Sequence, residues 1–314
     1  MNSIPFPADI EFQQLLNEAG AIRWGVADAV PVDEAVHSAY LRWIAEGYHA
    51  DMDYLDRHEE LRADPRLLLD GTSSVISIAI PYRHPDSRRI NPAARIASYA
   101  LGDDYHDVVR KRLKAVAEAI EKRSGGATRI CVDTAPIHER YWAIRAGVGR
   151  QGRSGQIIVP GAGTYCFLAE ILTTVRFTPT SPLPGNPCGS CRRCIEACPG
   201  GALSSSHPFD ARRCLSYLTI EHRGPLPSEP RLQGCLYGCD RCSEVCPHNS
   251  HPAYTTLPEF TPRPALLDIS AQQIMSMDTE EYTRLFRRSP MKRAKLDGLR
   301  RNAIRLIEEK LVEC

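Results

Sequence analysis

The chain has 314 residues, 39 Lys and Arg against 38 Asp and Glu, a formal net charge of +1 and 12 cysteines. That length supports a substantial core, and the near-neutral balance excludes a protein that coats nucleic acid through bulk charge while leaving room for a local basic face. MNSIPFPADIEFQQ has no basic stretch followed by an apolar one, and the longest apolar strand-like run, SSVISIAIP, is far too short to span a bilayer. The expected location is therefore the cytoplasm, with no membrane partner, where reduced cysteines persist as metal ligands.

In chain order, EFQQLLNEAG predicts a short helix ended by Gly20, AIRWGVADAV a strand, and PVDEAVHSAYLRWIAEG a helix stopped at Gly47. SSVISIAI predicts a buried, β-branched strand, YHDVVRKRLKAVAEAIEKR an amphipathic helix closed by Gly125 and Gly126, and TRICVD another strand. PIHERYWAIRAG reads as a helix with Pro136 near its first turn and Gly147 at its end, and QIIVPGAGTYCFLAEILT as two strands joined over Pro160 to Gly163. This alternation implies an α/β sandwich over residues 1–180. A Pro-rich linker, FTPTSPLPGNP, leads into a cysteine-rich module at 181–255, and a basic helical segment, 256–314, carries DTEEYTRLFRR and MKRAKLDGLRRNAIRLIEEKLVE.

The cysteines carry the strongest chemical signal. CGSCRRCIEACP places Cys188, Cys191 and Cys194 at CxxCxxC spacing, which lets one loop wrap three corners of a cubane, with Cys198 directly before Pro199. In two-cluster ferredoxins that fourth thiolate serves the other cluster. CDRCSEVCP supplies Cys239, Cys242 and Cys246 but lacks one ligand, which Cys214 can complete. The assignment is one 4Fe-4S cluster on Cys188, Cys191, Cys194 and Cys246, and a second on Cys198, Cys214, Cys239 and Cys242. Structural zinc also accepts four cysteines and secreted proteins pair them as disulfides, but the third cysteine of CxxCxxC has no use at a tetrahedral ion. Cys131, Cys166, Cys235 and Cys314 fall outside this scheme and read as small buried or stray thiols.

The α/β part is less explicit. GVGRQG approaches GxGxxG, yet its glycines follow a helix and precede a strand, the reverse of the order that presents a helix N-terminus to a pyrophosphate. Asp133 leaves an apolar strand just before a helix. It can cap that helix, or, kept protonated by desolvation in a closed pocket, act as a general acid. Tyr105 and His106 begin the long amphipathic helix, where they could reach a pocket.

Taken together, GYHADMDYLDRH, YALGDDYHDVVRKRL, VDTAPIHERYWAIRAGVG, CGSCRRCIEACPGGAL, ARRCLSYLTIEHRGPLP, YGCDRCSEVCPHN and SPMKRAKLDGLRRNA resemble the epoxyqueuosine reductase family over nearly the whole chain. The resemblance implies an α+β protein: a nitroreductase-like α/β domain binding cobalamin base-off, beside a ferredoxin-like module with two 4Fe-4S clusters. It implies removal of the epoxide oxygen of epoxyqueuosine in tRNAs with GUN anticodons, those for tyrosine, histidine, asparagine and aspartate. An external low-potential donor such as flavodoxin or ferredoxin and a monomeric state come with it. It also favours Asp133 as the catalytic acid over the helix cap. By the same resemblance Arg57, Ser98, Asp133, Arg140, Ile157, Leu168, Leu172, Ser216 and Thr219 are expected at the corrinoid. Tyr105 and His106 are expected in the substrate pocket, and Tyr217 and Leu218, with Ser216 and Thr219, between corrin and clusters.

Two departures stand out. Family members often read GWIGKN where this chain has GRQGRS, so Arg150, Gln151, Arg153 and Ser154 replace tryptophan, isoleucine, lysine and asparagine. Longer members end in a helical-repeat domain that helps grip tRNA, and this chain stops after one terminal helix. A basic group then has to meet the phosphates: Arg223, Lys292, Arg293 and Lys295, with Arg284, Arg287, Arg288, Arg300, Arg301 and Arg305 nearby in sequence. The alternative readings are a reductive-dehalogenase-like corrinoid reductase, which would usually carry a twin-arginine export signal, and a non-catalytic electron carrier, which would bind no corrinoid.

Overall fold

The computed structural model describes residues 10–311, so Cys314 lies outside the described residues. The chain opens with α1 (Ile10–Glu18), β1 (Arg23–Asp28), α2 (Glu34–Ala45), α3 (Glu59–Ala63) and β2 (Ser74–Pro81). It continues through β3 (Arg95–Ile96), α4 (Tyr105–Ser124), β4 (Thr128–Cys131), α5 (Glu139–Arg145), the hairpin β5 (Arg150–Gln151) and β6 (Ile157–Ile158), and β7 (Cys166–Thr173). The cysteine segment contributes α6 (Arg193–Glu196), α7 (Leu215–Ile220), β8 (Cys235–Tyr237) and α8 (Arg241–Glu244). The helices α9 (Pro264–Leu267), α10 (Ala271–Ser276), α11 (Thr279–Leu285) and α12 (Lys295–Leu311) follow. No helix among the described residues is long and apolar enough to cross a membrane.

The main sheet has the order β1-β2-β7-β4, and every neighbouring pair is antiparallel. Helices and strands alternate in sequence, yet among the described residues this sheet contains no parallel βαβ unit. β2 is buried along its whole length. Because strand side chains alternate between faces, Ile76, Ile78 and Ile80 enter a core with Phe12, Leu16, Val109 and Leu113 from α1 and α4. Val75 and Ala79 face the opposite way, under Trp142 and Ala143 of α5. The result is three layers, helix on sheet on helix, and each buried isoleucine stabilises them by about 1.5–3 kcal/mol. α4 is capped at both ends: the Asp104 carboxylate accepts the His106 N–H, and Gly125 takes the left-handed φ of 68°.

Two expected helices are shorter than the sequence suggests. The segment 132–139 makes tight turns in which Thr134 N–H donates to Val132 O at 2.5 Å and Ile137 N–H to Ala135 O at 2.8 Å, so α5 begins at Glu139 and Pro136 lies before it. The helix expected from Met291 is broken as well: Pro290–Ala294 forms a 3-10 turn, Lys295 has φ 59°, and α12 runs on from there. Nor do the cores follow boundaries at 180 and 255. Ala94, Ile96 and Leu101 share one core with Leu215, Leu236, Tyr237 and the α10 and α12 residues Ile274, Leu299 and Leu306, and β3 pairs with β8 in parallel.

Candidate active site and cluster cage

Asp133 stands where β4 ends, with φ 51°. A non-glycine residue there is strained unless its surroundings hold it, though aspartate is among the more tolerant types. Two contacts hold it: its N–H donates to Glu139 Oε1 at 2.5 Å, and its Oδ2 meets His106 Nε2 at 2.9 Å. The other ring nitrogen, His106 Nδ1, meets Asp104 Oδ1 at 2.7 Å. An imidazolium donates on both sides of this line. Burial alone would lower the His106 pKa, but the hydrogen bonds and charges of Asp104 and Asp133 raise it to about 9. Burial likewise pushes Asp133 upward and is outweighed, chiefly by His106 and further by Tyr105 and Arg140, so its carboxyl sits below the usual range.

The pairing favours a proton on His106 beside the Asp133 carboxylate, whose side chain is 54% exposed. Asp133 does not cap α5, whose N-cap is His138. Aromatic rings wall the pair: Tyr105 stacks on Phe167 with centroids 4.3 Å apart and on His106 at 4.0 Å, and Tyr99 meets Tyr105 edge-on at 5.9 Å. Tyr54 is a residue the sequence did not single out. Burial, with the charges of Glu221 and Asp133 among the causes, raises its pKa to about 12, and Arg293 lies over its ring at 5.3 Å.

The cysteines converge on two places. A cavity of about 230 Å³ is ringed by Cys188, Cys191, Cys194 and Cys246, with Gly152, Arg153 and Ile158 on its far side. The divergent GRQGRS loop closes it: Arg153 N–H donates to Cys188 Sγ at 3.3 Å and Arg153 Nη2 to Gly189 O at 2.8 Å, while Arg150 Nη1 donates to Pro184 O at 2.5 Å. In the second group, burial and then the charges of Cys239, Cys214, Asp240 and Cys198 push the Cys242 thiol up to about 12. Burial and the charges of Cys239 and Cys198 also act on Cys214, which rises to about 11. Neutral thiols crowded together in this way are what a cubane would convert to ligating thiolates. Cys131 and Cys235 are buried and Cys166 is half-buried.

Residues 62–134 match the family model "Epoxyqueuosine reductase QueG, DUF1730", and residues 187–249 match the model "4Fe-4S double cluster binding domain". An epoxyqueuosine reductase of Gloeobacter violaceus is 36% identical over 305 residues, covering 95% of this chain and 95% of its own. The chain belongs to the epoxyqueuosine reductase family. Another epoxyqueuosine reductase, from Vibrio cholerae, is 37% identical over 94% of this chain and 83% of its own. The fold matches a crystal structure of epoxyqueuosine reductase with an epoxyqueuosine-modified tRNA-Tyr stem loop: TM-score 0.86, 30% identity, 95% of this chain and 80% of that one. It also matches a Bacillus subtilis epoxyqueuosine reductase whose catalytic aspartate loop is described as swung out of the active site, with TM-score 0.85, 29% identity and coverage of 95% and 80%.

The residues expected at an epoxyqueuosine reductase's corrinoid fare unequally. Arg57 and Arg140 are exposed, and Ser98, Leu168 and Ser216 are half-buried, so all five keep surface to offer. Ile157 keeps 5%. Leu172 and Thr219 have 0% exposure and nothing to offer a ligand. Leu172 packs in the core beneath α5. Thr219 is structural: its hydroxyl donates to Leu215 O at 2.7 Å and accepts Gly238 N–H at 2.9 Å, tying α7 to β8. Leu218 is buried too, and Tyr217 OH donates to Asp51 Oδ2 at 2.6 Å. Ser98 N–H donates to Asp240 Oδ2 at 2.7 Å, between two cysteines of the second group.

The basic group also divides. Arg301 donates to the carbonyls of His222, Gly224 and Leu218, Arg300 to Met277 O, and Arg305 to Pro227 O and Ser228 O. These three clamp the chain to itself and are not free for phosphates. Arg223 is similarly spent on Ile220 O and Arg293 O, and Arg293 forms a two-pronged pair with Glu221. Lys292, Lys295, Arg284 and Arg287 remain exposed.

Proposed function

We propose that this chain reduces epoxyqueuosine in tRNA to queuosine, using cobalamin bound base-off and two 4Fe-4S clusters. Family membership and the Asp104–His106–Asp133 line carry this reading. The reaction consumes two electrons and two protons: the epoxide carbons become an alkene and the oxygen leaves as water. Cobalamin, when bound, supplies the two-electron reductant at the epoxide, and the clusters supply electrons singly from an external donor. The residues with surface to offer suit such a group: exposed Arg57 and Arg140 could pair with its polar edge, and half-buried Leu168 could give an apolar contact.

Asp133 and His106 supply the first proton, and solvent supplies the second as the oxygen leaves as water. As negative charge develops on the opening oxygen, Asp133 hands over a proton drawn from His106 Nε2, 2.9 Å away. Asp104 stabilises the imidazolium and fixes the ring's orientation. Tyr105 and Phe167 form an aromatic wall that excludes water from one side. The swung-out catalytic aspartate loop of the Bacillus relative supports reading the Asp133 turn as its counterpart, a turn that can move in and out of the site. For the tRNA, Lys292 and Lys295 remain free to meet phosphates, while Arg223 and Arg293 shape the surface behind them.

The test is anaerobic reconstitution with iron, sulfide and cobalamin, followed by tRNA carrying epoxyqueuosine and a reductant, read by nucleoside mass spectrometry. Loss of one oxygen from the modified base supports the reading, and an unchanged base with all cofactors bound refutes it. Asp133→Asn should reduce turnover by about 100-fold or more; wild-type turnover would remove Asp133 from the proton path.

A further inference from the structure

One polar row crosses the main sheet on the face covered by α5: Gly25 pairs with Ser77, Ser77 with Glu170, and Glu170 with Cys131. α5 lies close over it, since a Cβ on Gly25 would stand 1.9 Å from Ala146 O at the helix C-terminus. Glu170 is 0% exposed; Ser77 Oγ donates to its Oε1 at 3.2 Å, and its Oε2 has no hydrogen-bond partner. A buried carboxyl so poorly partnered is costly, and no step of the proton path uses it. At the N-terminus of α5, Glu139 Oε1 takes the N–H of Asp133.

Burial, and then the charge of Glu139, push the Glu170 carboxyl far up, so it holds its proton. Burial and the charge of Asp133 raise Glu139 to about 8, against the pull of the Asp133 N–H, Arg140 and His106. Asp133 in turn needs a holder, because its positive φ is strained in isolation.

We propose that Glu139 is a positioning residue that latches the Asp133 turn inward against His106. This rests on the reading of Asp133 as the proton donor on a turn that swings. The latch acts by reach: a carboxyl or amide oxygen at the end of a two-methylene stem meets the Asp133 N–H, and a shorter stem does not. Glu139→Gln keeps an acceptor at that reach, and Glu139→Asp keeps the carboxyl without the reach.

Hydrogen exchange of the peptide spanning Asp133, read on the holoenzyme without tRNA, separates these roles. Glu139→Asp should raise exchange at Asp133 and Thr134 by about tenfold or more, the cost of a lost hydrogen bond. Glu139→Gln should retain most of the protection. kcat should follow, falling about tenfold in Glu139→Asp while KM for tRNA stays within about twofold. Glu139→Ala replaces Glu139→Asp if the latter does not fold. Wild-type protection in the short-stem variant, or equal loss in Glu139→Gln, overturns the latch. Because exchange needs no substrate, a wild-type enzyme inactive on epoxyqueuosine would sink the functional reading and leave this test standing.

Discussion

The antiparallel sheet and the cysteine segment are held together by different means. Across β2 the side chains are continuously buried, and apolar helices cover both faces, so the polypeptide alone supplies the packing. Between Cys188 and Cys246 the regular elements are three to six residues long, too short to be stable by themselves. There the chain is held by clamps from outside: Asn302 Nδ2 donates to Thr219 O and Leu236 O, and Arg301 donates to the carbonyls of Leu218, His222 and Gly224. The lesson is that a rigid scaffold presents Asp133 while a cofactor-dependent module, fastened by the C-terminal helix, is set beside it.

Stripping the clusters with a chelator should break this comparison most sharply. Exchange protection across 188–246 should collapse, since ligation free energy is folding free energy there, while the amides of β2 stay protected. Equal loss in both regions would mean that the sheet too depends on the clusters. Ile78→Ala, in the fully buried strand, should cost about 2–5 kcal/mol in denaturant unfolding and leave the iron-sulfur absorbance of the folded protein intact. Asn302→Leu strands two buried carbonyls and should cost about 1–3 kcal/mol, with its local effect at α7 and β8.

The smallest effect should come from pH at the junction. His106 is raised from an ordinary 6.5 to about 9, so its ion pairs contribute fully below pH 6.5 and are lost as pH rises through about 9. Asp104 and Asp133 are held below 3.8, so their share is lost only as pH falls through that lower range. Thermal midpoints measured from pH 6 to 10 should fall across that window in the wild type and be flatter in His106→Gln. Identical slopes in the two proteins would remove the ion pair from the account.

Much of the architecture was legible in the sequence. β-branched enrichment marked β2, the amphipathic pattern of YHDVVRKRLKAVAEAIEKR marked α4, and Gly125 marked its end, because these are local signals. The start of α5 was not legible: the tight turns before Glu139 depend on where that side chain finds a donor. Leu172 and Thr219 were misjudged because apolar or hydroxyl character does not say which face of a strand or helix a ligand would approach. The pairing of Asp133 was not legible, because its partner His106 lies 27 residues away in sequence and meets it at 2.9 Å only in the fold.

What the sequence by itself determined is the periodic and the stoichiometric: the buried strand, the amphipathic helix, and cysteines in number and spacing for two cubanes. Those properties follow from neighbours within a few residues. Only the tertiary structure decided which arginines are clamps and which cations stay free, where the proton sits along Asp104, His106 and Asp133, and that Glu139 reaches back to the turn before it. Each depends on electrostatic and hydrogen-bond partners that meet only after the chain has folded, and at these distances such partners outweigh what any residue type prefers alone.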